Sequence, residues 1–264
     1  MGNLFKRIFS GIIYVLIFLS AILYSKESYI LLTGLFGLLC VWEFSKLIQF
    51  KGLIGYIFFG FTLFLILKRP ESYATIGILG ITIISSLFLI YKLFTKKEIT
   101  FSNDRSKSGL LIRYVVFSMI FLVLLPIYKG VYNPHLMISI LIIIWVNDSF
   151  AFLVGKNFGK RKLFVSVSPK KTQEGFLGGF AIALLSAYVI SRFNNDFTLI
   201  NWFVIAFIVS VIGTFGDLVE SKFKRQANIK DSGNIMPGHG GILDRLDSLL
   251  FVAPFVYLYI NFII

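Results

Sequence analysis

The chain has 264 residues, of which 57% are hydrophobic and only 15% are charged. A soluble domain carries roughly 25% charged residues, so this composition excludes an ordinary soluble enzyme and indicates a surface that faces lipid. The formal net charge of +13 would suggest a nucleic-acid partner in a soluble chain. In a membrane protein it is explained by topology, and we expect no nucleic acid as a partner.

Apolar runs long enough to cross a bilayer recur along the chain. The first follows a short basic head and extends from Ile8 to about Tyr24, which is longer than the apolar core of a signal peptide. The third is short and contains several glycines. The predicted spans are 8–24, 28–48, 52–67, 74–94, 110–127, 134–154, 175–192, 200–219 and 246–263. We therefore predict an all-α, polytopic integral membrane protein with about nine transmembrane helices.

The distribution of basic residues predicts the orientation of these spans. If the N-terminus is cytoplasmic, 21 Lys and Arg residues lie inside and 5 lie outside, which obeys the positive-inside rule. Lys6, Arg7, Lys96 and Lys97 are among the inside residues. The two longest polar segments of the second half, residues 156–174 and 220–245, then share the cytoplasmic face.

We expect one integral-membrane domain that comprises residues 1–264. Its N-terminal helices, residues 1–130, are predicted to serve packing, lipid contact or dimerisation. Residues 134–264 are predicted to be the catalytic helices, and they carry the two cytoplasmic loops 156–174 and 220–245.

Residues 221–247 hold eight charged residues between two apolar segments. Charge is costly beside lipid, so such a cluster predicts a functional site. Around its start, Asp217, Glu220, Ser221 and Lys224 recur at a spacing of three or four and should share one helix face. That face could be catalytic, or it could form an ion pair between helices.

Two further carboxylates, Asp244 and Asp247, open the last predicted helix. Together with Asp217 they could offer oxygen ligands to Mg²⁺, which favours carboxylates, water and substrate phosphates. Asp244 could instead cap the helix, because carboxylates are favoured at helix N-termini.

The same segment contains Lys224, Arg225 and Lys230, followed by a Pro-Gly-His-Gly-Gly turn. A basic cluster alone could be a lipid-headgroup anchor. Backbone N–H groups of the glycine-rich turn could instead cradle phosphate oxygens. His239 could carry a proton, bind phosphate or form a structural hydrogen bond.

The other predicted cytoplasmic loop reads SVSPKKTQEG. Lys170, Lys171 and Thr172 supply donors, and either Ser168 or Thr172 should cap the following helix. Upstream, Asn147 and Asp148 lie within an apolar span, where both must find polar partners.

Residues 221–247 follow the pattern S-x-F-K-R-x4-K-D-S-G-x2-M-P-G-H-G-G-x-L-D-R-x-D. This pattern resembles the signature of phosphatidate cytidylyltransferases, also called CDP-diacylglycerol synthases. Supporting similarities are Gly216-Asp217-Leu218, Asp148 with Gly155, and the segment from Ser168 to Gly175. Met236 and Gln173 depart from the usual family residues, but neither change removes a charged group.

The resemblance implies the reaction of CTP with phosphatidate to give CDP-diacylglycerol and pyrophosphate, a step of phospholipid biosynthesis. It also implies Mg²⁺ as a cofactor, with a monovalent cation such as K⁺ sharing the site. We expect the lipid bilayer as the surroundings, specifically a bacterial cytoplasmic (inner) membrane with the active site facing the cytoplasm. A homodimer is a further expectation.

Residue roles follow from the resemblance by position. The implied metal residues are Asp217, Asp244 and Asp247. The implied catalytic residues are Asp217, Ser221, Lys224, Arg225, Lys230, Asp231 and His239. The implied substrate and phosphate contacts are Ser168, Lys171, Thr172, Glu174, Gly240, Gly241 and Arg245.

Two other functions are consistent with parts of the pattern. A CTP-dependent polyprenol or phytol kinase would transfer the γ-phosphoryl group to an alcohol, and its product would distinguish it. An anion transporter would use the charges to line a path. The charges cluster at one face, however, and the sequence shows no paired broken helices of the transporter type.

Overall fold

A computed structural model describes residues 2–95, 98–99 and 103–264, with side chains from residue 9 onward. Lys96 and Lys97, counted above among the inside residues, lie outside the described residues. The side chains of Lys6 and Arg7 also lie outside the described part of the chain.

The described residues are predominantly helical. The helices are α1 (Gly2–Tyr24), α2 (Lys26–Leu47), α3 (Ile54–Lys68), α4 (Tyr73–Phe94), α5 (Asp104–Leu111), α6 (Phe117–Leu124), α7 (Pro134–Phe158), α8 (Gln173–Phe193), α9 (Leu199–Gln226) and α10 (Leu243–Leu258). A π-helical turn, Ile112–Val116, joins α5 and α6 into one rod, and a second π turn, Tyr259–Ile263, extends α10. Nine helical rods thus occupy the described residues, close to the nine predicted spans.

Seven of these rods are long and apolar enough to cross a membrane. The two shorter apolar helices are Phe9–Tyr24 and Ile54–Lys68. The chain is therefore an all-α, polytopic membrane protein, as predicted. The number of crossings and the cytoplasmic N-terminus stay predictions, as do the homodimer and the division of the chain near residue 130.

Short polar residues fix where several helices begin. Ser25 and Asn103 form capping boxes at α2 and α5, and Asn133 caps α7 directly before Pro134. Thr172 caps α8 by accepting a hydrogen bond from the Gly175 N–H. A side-chain oxygen at this position satisfies a backbone donor that the helix leaves unpaired.

The two predicted loops are shorter than expected. Helix α7 continues to Phe158, and residues 162–172 form an antiparallel hairpin of β3 (Lys162–Phe164) and β4 (Ser168–Thr172). Helix α9 continues to Gln226, so the second loop is confined to residues 227–242. The first residues of the predicted cytoplasmic segment, from 220 to 226, thus continue α9 as a helix. A second, two-residue hairpin joins β1 (Ile127–Tyr128) to β2 (Val131–Tyr132).

The helices of the second half pack in chain order, α7 on α8, α8 on α9 and α9 on α10. Glycines allow the closest approach: a methyl group at Gly179 of α8 would lie 2.5 Å from the Asn147 carbonyl oxygen of α7. Small residues at such an interface let two helix backbones meet. The α7–α8 pair forms one wall of the site described below.

An aromatic cluster connects the two halves of the chain. The Phe44 ring of α2 lies 5.0 Å from the Tyr114 ring and 5.2 Å from the Phe223 ring of α9, measured between centroids. The Tyr114 ring in turn lies 5.7 Å from that of Phe251 in α10. Lys222 adds a polar tie, because its Nζ donates to the carbonyl oxygens of Lys92 and, at 3.0 Å, Thr95. Helices α2 and α4 are thereby held against α9, which carries several of the charged residues.

Candidate active site

A cavity of about 570 Å³ opens between α7, the β3–β4 hairpin, α8 and α9. Its volume is typical of pockets that hold small molecules. Four lysines and two carboxylates line it: Lys156, Lys162, Lys170, Lys171, Asp148 and Asp217. The excess of positive charge suits a polyanionic ligand.

Lys171 and Asp217 form an ion pair inside this cavity. Their Nζ and Oδ2 atoms are 2.6 Å apart, and both side chains are about one-third exposed. The Ser221 hydroxyl donates to Asp217 Oδ1 at 3.2 Å. Burial lowers the pKa of Lys171, but the carboxylates of Asp217, Asp148 and Asp247 outweigh burial and raise that pKa above its usual range. Lys171 is therefore a fixed positive charge.

Lys224 links α9 to the start of α10. Its Nζ lies 2.6 Å from Glu220 Oε2 and 2.6 Å from Asp244 Oδ1, and all three side chains are largely buried. The spacing of three to four residues correctly predicted a shared helix face. Lys224 therefore forms ion pairs within α9 and between α9 and α10. An ion pair between helices was one of the two interpretations that the sequence left open for this helix face.

Asp244 uses both of its carboxylate oxygens within the protein. Oδ1 accepts from Lys224, while Oδ2 accepts from the Ser232 N–H at 2.8 Å, the Ser232 hydroxyl at 2.9 Å and the Gly241 N–H at 2.8 Å. Asp244 thus fastens the loop before α10 to Lys224 of α9, and it caps none of the first-turn N–H groups of its own helix. Its role as a metal ligand stays a prediction.

The glycine-rich turn is folded by its own backbone. Gly238 and Gly240 have positive φ angles of 76° and 90°, and the Met236 N–H donates to the Gly240 carbonyl at 2.9 Å. The Gly241 N–H is committed to Asp244, so it is not directed at a phosphate. His239 Nδ1 lies 2.7 Å from the Ser10 hydroxyl of α1, and that hydroxyl is also 3.0 Å from the Pro237 carbonyl oxygen.

A second, smaller cavity of about 220 Å³ lies between α1, α7 and α10. His239, Arg245 and Asp247 line it together with apolar and aromatic residues such as Trp145. Asp148 lines both cavities, so they meet at this carboxylate.

The remaining predicted residues lie nearby but have mainly local partners. Thr172 Oγ1 accepts from the Gly175 N–H, and Glu174 accepts from the N–H groups of Lys160 and Arg161 at the base of the hairpin. Ser168 pairs with Phe164 across that hairpin.

In the second loop, Arg225 donates to the Ile229 carbonyl at 3.1 Å, and Arg245 donates to the His239 carbonyl at 2.9 Å. Lys230 and Asp231 are exposed. Of the predicted site residues, those that line the larger cavity are Lys171, Thr172 and Asp217, and those that line the smaller one are His239, Asp244, Arg245 and Asp247.

Comparison with known proteins adds an independent observation. A sequence model of the cytidylyltransferase family matches residues 5–263. The chain belongs to the cytidylyltransferase family. Among similar proteins, the phosphatidate cytidylyltransferase of Bacillus subtilis is 35% identical, with 97% of each chain covered. That of Haemophilus influenzae is 33% identical over 98% of this chain and 99% of its own, and that of Staphylococcus haemolyticus is 32% identical over 94% and 95%.

The donor set of this cytidylyltransferase suits a hard cation, although the three predicted aspartates do not form a closed metal site. No group of three or more His, Cys, Asp or Glu side chains within residues 2–95, 98–99 and 103–264 is arranged to hold an ion. Asp148 and Asp217 nevertheless face one cavity, and the buried Asn147 Oδ1 beside them has no hydrogen-bond partner among the described residues. Because Mg²⁺ commonly uses one or two carboxylates plus substrate phosphates, these oxygens fit it.

Several residues of the site were missed by sequence reasoning. Lys156 and Lys162 were counted only for topology, although their basic loop offered a signal, and Lys170 was noted as a donor but not assigned to the site. Asp148 was noted without a role. Glu43 of α2 was overlooked entirely, although an acid inside an apolar span is a signal in itself.

Proposed function

We propose that this chain is a phosphatidate cytidylyltransferase, which converts CTP and phosphatidate into CDP-diacylglycerol and pyrophosphate. The observation that carries the proposal is the similarity to curated phosphatidate cytidylyltransferases over nearly the whole chain. The lysine-lined cavity beside Asp148 and Asp217 supports it, because the reaction brings two polyanions together.

The chemistry requires positioning more than proton transfer. A phosphate oxygen of phosphatidate forms a bond to the α-phosphorus of CTP, and the bond from that phosphorus to the bridging oxygen of the β-phosphate breaks. A phosphate monoester is already largely anionic near neutral pH, so a strong general base is unnecessary. Fixed cations such as Lys171 stabilise the charge that develops on pyrophosphate.

Mg²⁺ would be held by Asp217 and Asp148, with Asp247 nearby. When bound, it would neutralise phosphate charge and polarise the phosphoryl oxygens. A monovalent ion such as K⁺ stays part of the proposal without an assigned ligand. Asp217 would also keep the Lys171 ammonium in place in the cavity through their ion pair.

The two cavities divide the substrates between them in this proposal. The larger one, with Lys156, Lys162 and Lys170, has the size and charge for the triphosphate of CTP. The smaller one combines Arg245 with apolar walls and would take the phosphate end of the lipid. With the N-terminus inside, both would open near the cytoplasmic face of a bacterial inner membrane, where CTP is present.

The test uses purified protein in detergent micelles with phosphatidate, Mg²⁺ and α-³²P-CTP. We expect label in the lipid phase and release of pyrophosphate, and a loss of at least about 100-fold for Asp217→Asn. Asp104→Asn, a same-sized change at an exposed residue of α5, serves as the matched control. Label that stays aqueous as CDP while a lipid alcohol is phosphorylated would identify a kinase and overturn the proposal.

The substrate assignment has its own kinetic test. Lys170→Ala should raise KM for CTP about tenfold or more and change KM for phosphatidate little, because it removes one charge from the larger cavity. Arg245→Ala should raise KM for phosphatidate and change KM for CTP little. Equal effects of both variants on both KM values would refute the division of the two cavities.

A further inference from the structure

Glu43 is a fully buried carboxylate near the end of α2, far in sequence from the charged segment. Its Oε1 accepts from the Ile242 N–H at 3.1 Å, and its Oε2 accepts from the Leu243 N–H at 2.7 Å. Both donors belong to the start of α10. Glu43 therefore compensates backbone groups that the first turn of a helix leaves unpaired.

The charge of Glu43 is balanced by that helix start. The ion pairs among the described residues involve Lys171 and Lys224, and neither pairs with Glu43. A carboxylate is favoured at a helix N-terminus, where the backbone dipole is positive. The contact thus joins a buried carboxylate in the first half of the chain to the positive N-terminal end of α10 in the second half.

Glu43 also reaches the loop that precedes α10. The Ser232 hydroxyl lies 3.4 Å from Glu43 Oε2 and 2.9 Å from Asp244 Oδ2, so it stands between the two carboxylates. A methyl group at Gly233 or at Gly241 would overlap Glu43 Oε1. These glycines are therefore explained by close approach to a carboxylate, which the phosphate-cradle interpretation of the turn did not foresee.

The consequence extends from the loop into the site. Residues 242 and 243, which Glu43 holds, directly precede Asp244, and Asp244 holds Lys224 at 2.6 Å. Asp247 follows one helical turn later and lines the smaller cavity. Fixing the first turn of α10 therefore fixes the direction of both aspartates.

We propose that Glu43 is a positioning residue, which locks residues 232–243 and the first turn of α10 so that Asp247 and the Lys224–Asp244 pair keep the geometry needed for group transfer. Its effect on turnover rests on the proposed function. Glu43 touches no reacting atom in this scheme. It acts on catalysis only through the loop and the helix start that it binds.

The test compares Glu43→Gln with Glu27→Gln, the same substitution at an exposed residue near the other end of α2. Bound CTP per chain counts the folded sites, and kcat and KM are then expressed per site. We expect Glu43→Gln to lower kcat per site about tenfold or more while KM for CTP changes less than about threefold. The reason is that Ile242 and Leu243 donate to different carboxylate oxygens, and Gln replaces one of these oxygens by an NH2 group, which cannot accept. Glu27→Gln should match the unsubstituted protein.

Hydrogen exchange supplies a local readout that does not depend on activity. In Glu43→Gln, the amides of residues 241–243 should exchange about tenfold faster, while those of the α7–α8 interface stay unchanged. Unchanged exchange at 241–243, or a kcat per site within about twofold of the unsubstituted protein, would overturn the proposal. Activity that falls only in proportion to the number of folded sites would also overturn it, since Glu43 would then be a packing residue.

Two safeguards keep the outcome decisive. If Glu43→Gln does not fold, Gly233→Ala replaces it, because the added methyl group displaces the Glu43 carboxylate without removing it. A Gly233→Ala protein with unchanged kcat per site and unchanged amide exchange at residues 241–243 would overturn the proposal. If the unsubstituted protein transfers no cytidylyl group, the proposed function fails. The exchange measurement then decides by itself whether Glu43 locks the loop.

Discussion

Replacing Lys224 by methionine should destabilise the protein strongly. The substitution keeps most of the side-chain length but removes the one ammonium that lies 2.6 Å from both Glu220 and Asp244. Glu220 is fully buried, so its charge would lose its close ion-pair partner. Breaking a buried pair costs about 3–5 kcal/mol, and the low exposure of all three side chains means that water screens little of this.

The expected effect can be measured as a melting temperature. For a domain of about 150–250 residues, 1 kcal/mol corresponds to roughly 2–4 °C, so Lys224→Met should melt about 6–20 °C below the unsubstituted protein. Unfolding in detergent micelles can be followed through the fluorescence of the three tryptophans. Lys51→Met, at an exposed lysine, is the matched control and should change stability by no more than about 0.5 kcal/mol.

A second variant separates lost charge balance from lost packing. Adding Glu220→Gln to Lys224→Met removes the stranded carboxylate, so the double variant should regain part of the lost stability. If Lys224→Met melts within about 2 °C of Lys51→Met, the buried ion pair does not stabilise the join between α9 and α10. That result would refute the reasoning.

Two other predictions concern the walls of the larger cavity. Gly179→Ala should weaken the α7–α8 contact and lower the melting temperature, because its methyl group would lie 2.5 Å from the Asn147 carbonyl oxygen. Gly77→Ala is the control and should leave the melting temperature unchanged, because no atom lies within 4 Å of its added methyl group. The pKa of Lys171 is raised in the folded state, so its stabilising contribution is present below the ordinary lysine pKa and is lost only as pH rises through the raised value. The difference in melting temperature between the unsubstituted protein and Lys171→Met should therefore be the same at about pH 7 and at about pH 9. A clearly smaller difference at pH 9 would contradict this expectation.

The features that sequence could predict are those with local causes. Apolar runs located the helical rods because the bilayer sets their length. The spacing of Asp217, Glu220, Ser221 and Lys224 predicted one helix face, and the pairs Ser221–Asp217 and Lys224–Glu220 both have the four-residue separation of that face. The starts of α8 and α10 were also close to their predicted positions.

The features that sequence could not predict depend on helices meeting in space. Lys171 of β4 pairs with Asp217 of α9, and the whole of α8 separates the two residues along the chain, so no local pattern specifies this partner. The glycine-rich turn suggested phosphate binding, whereas Gly241 donates its N–H to Asp244 and lies where an added methyl group would overlap Glu43. Family resemblance pointed to a segment, but only tertiary contacts distinguish side chains that face a cavity from those that hold the loop.

The contact between Glu43 and α10 also has a consequence for biosynthesis. Its backbone partners lie 199 and 200 residues further along the chain. At roughly 5–20 residues per second, a ribosome needs about 10–40 s to reach them after completing α2. During that interval the carboxylate lacks the donors that later compensate it, so α2 can settle into its final surroundings only when the last helix has been made.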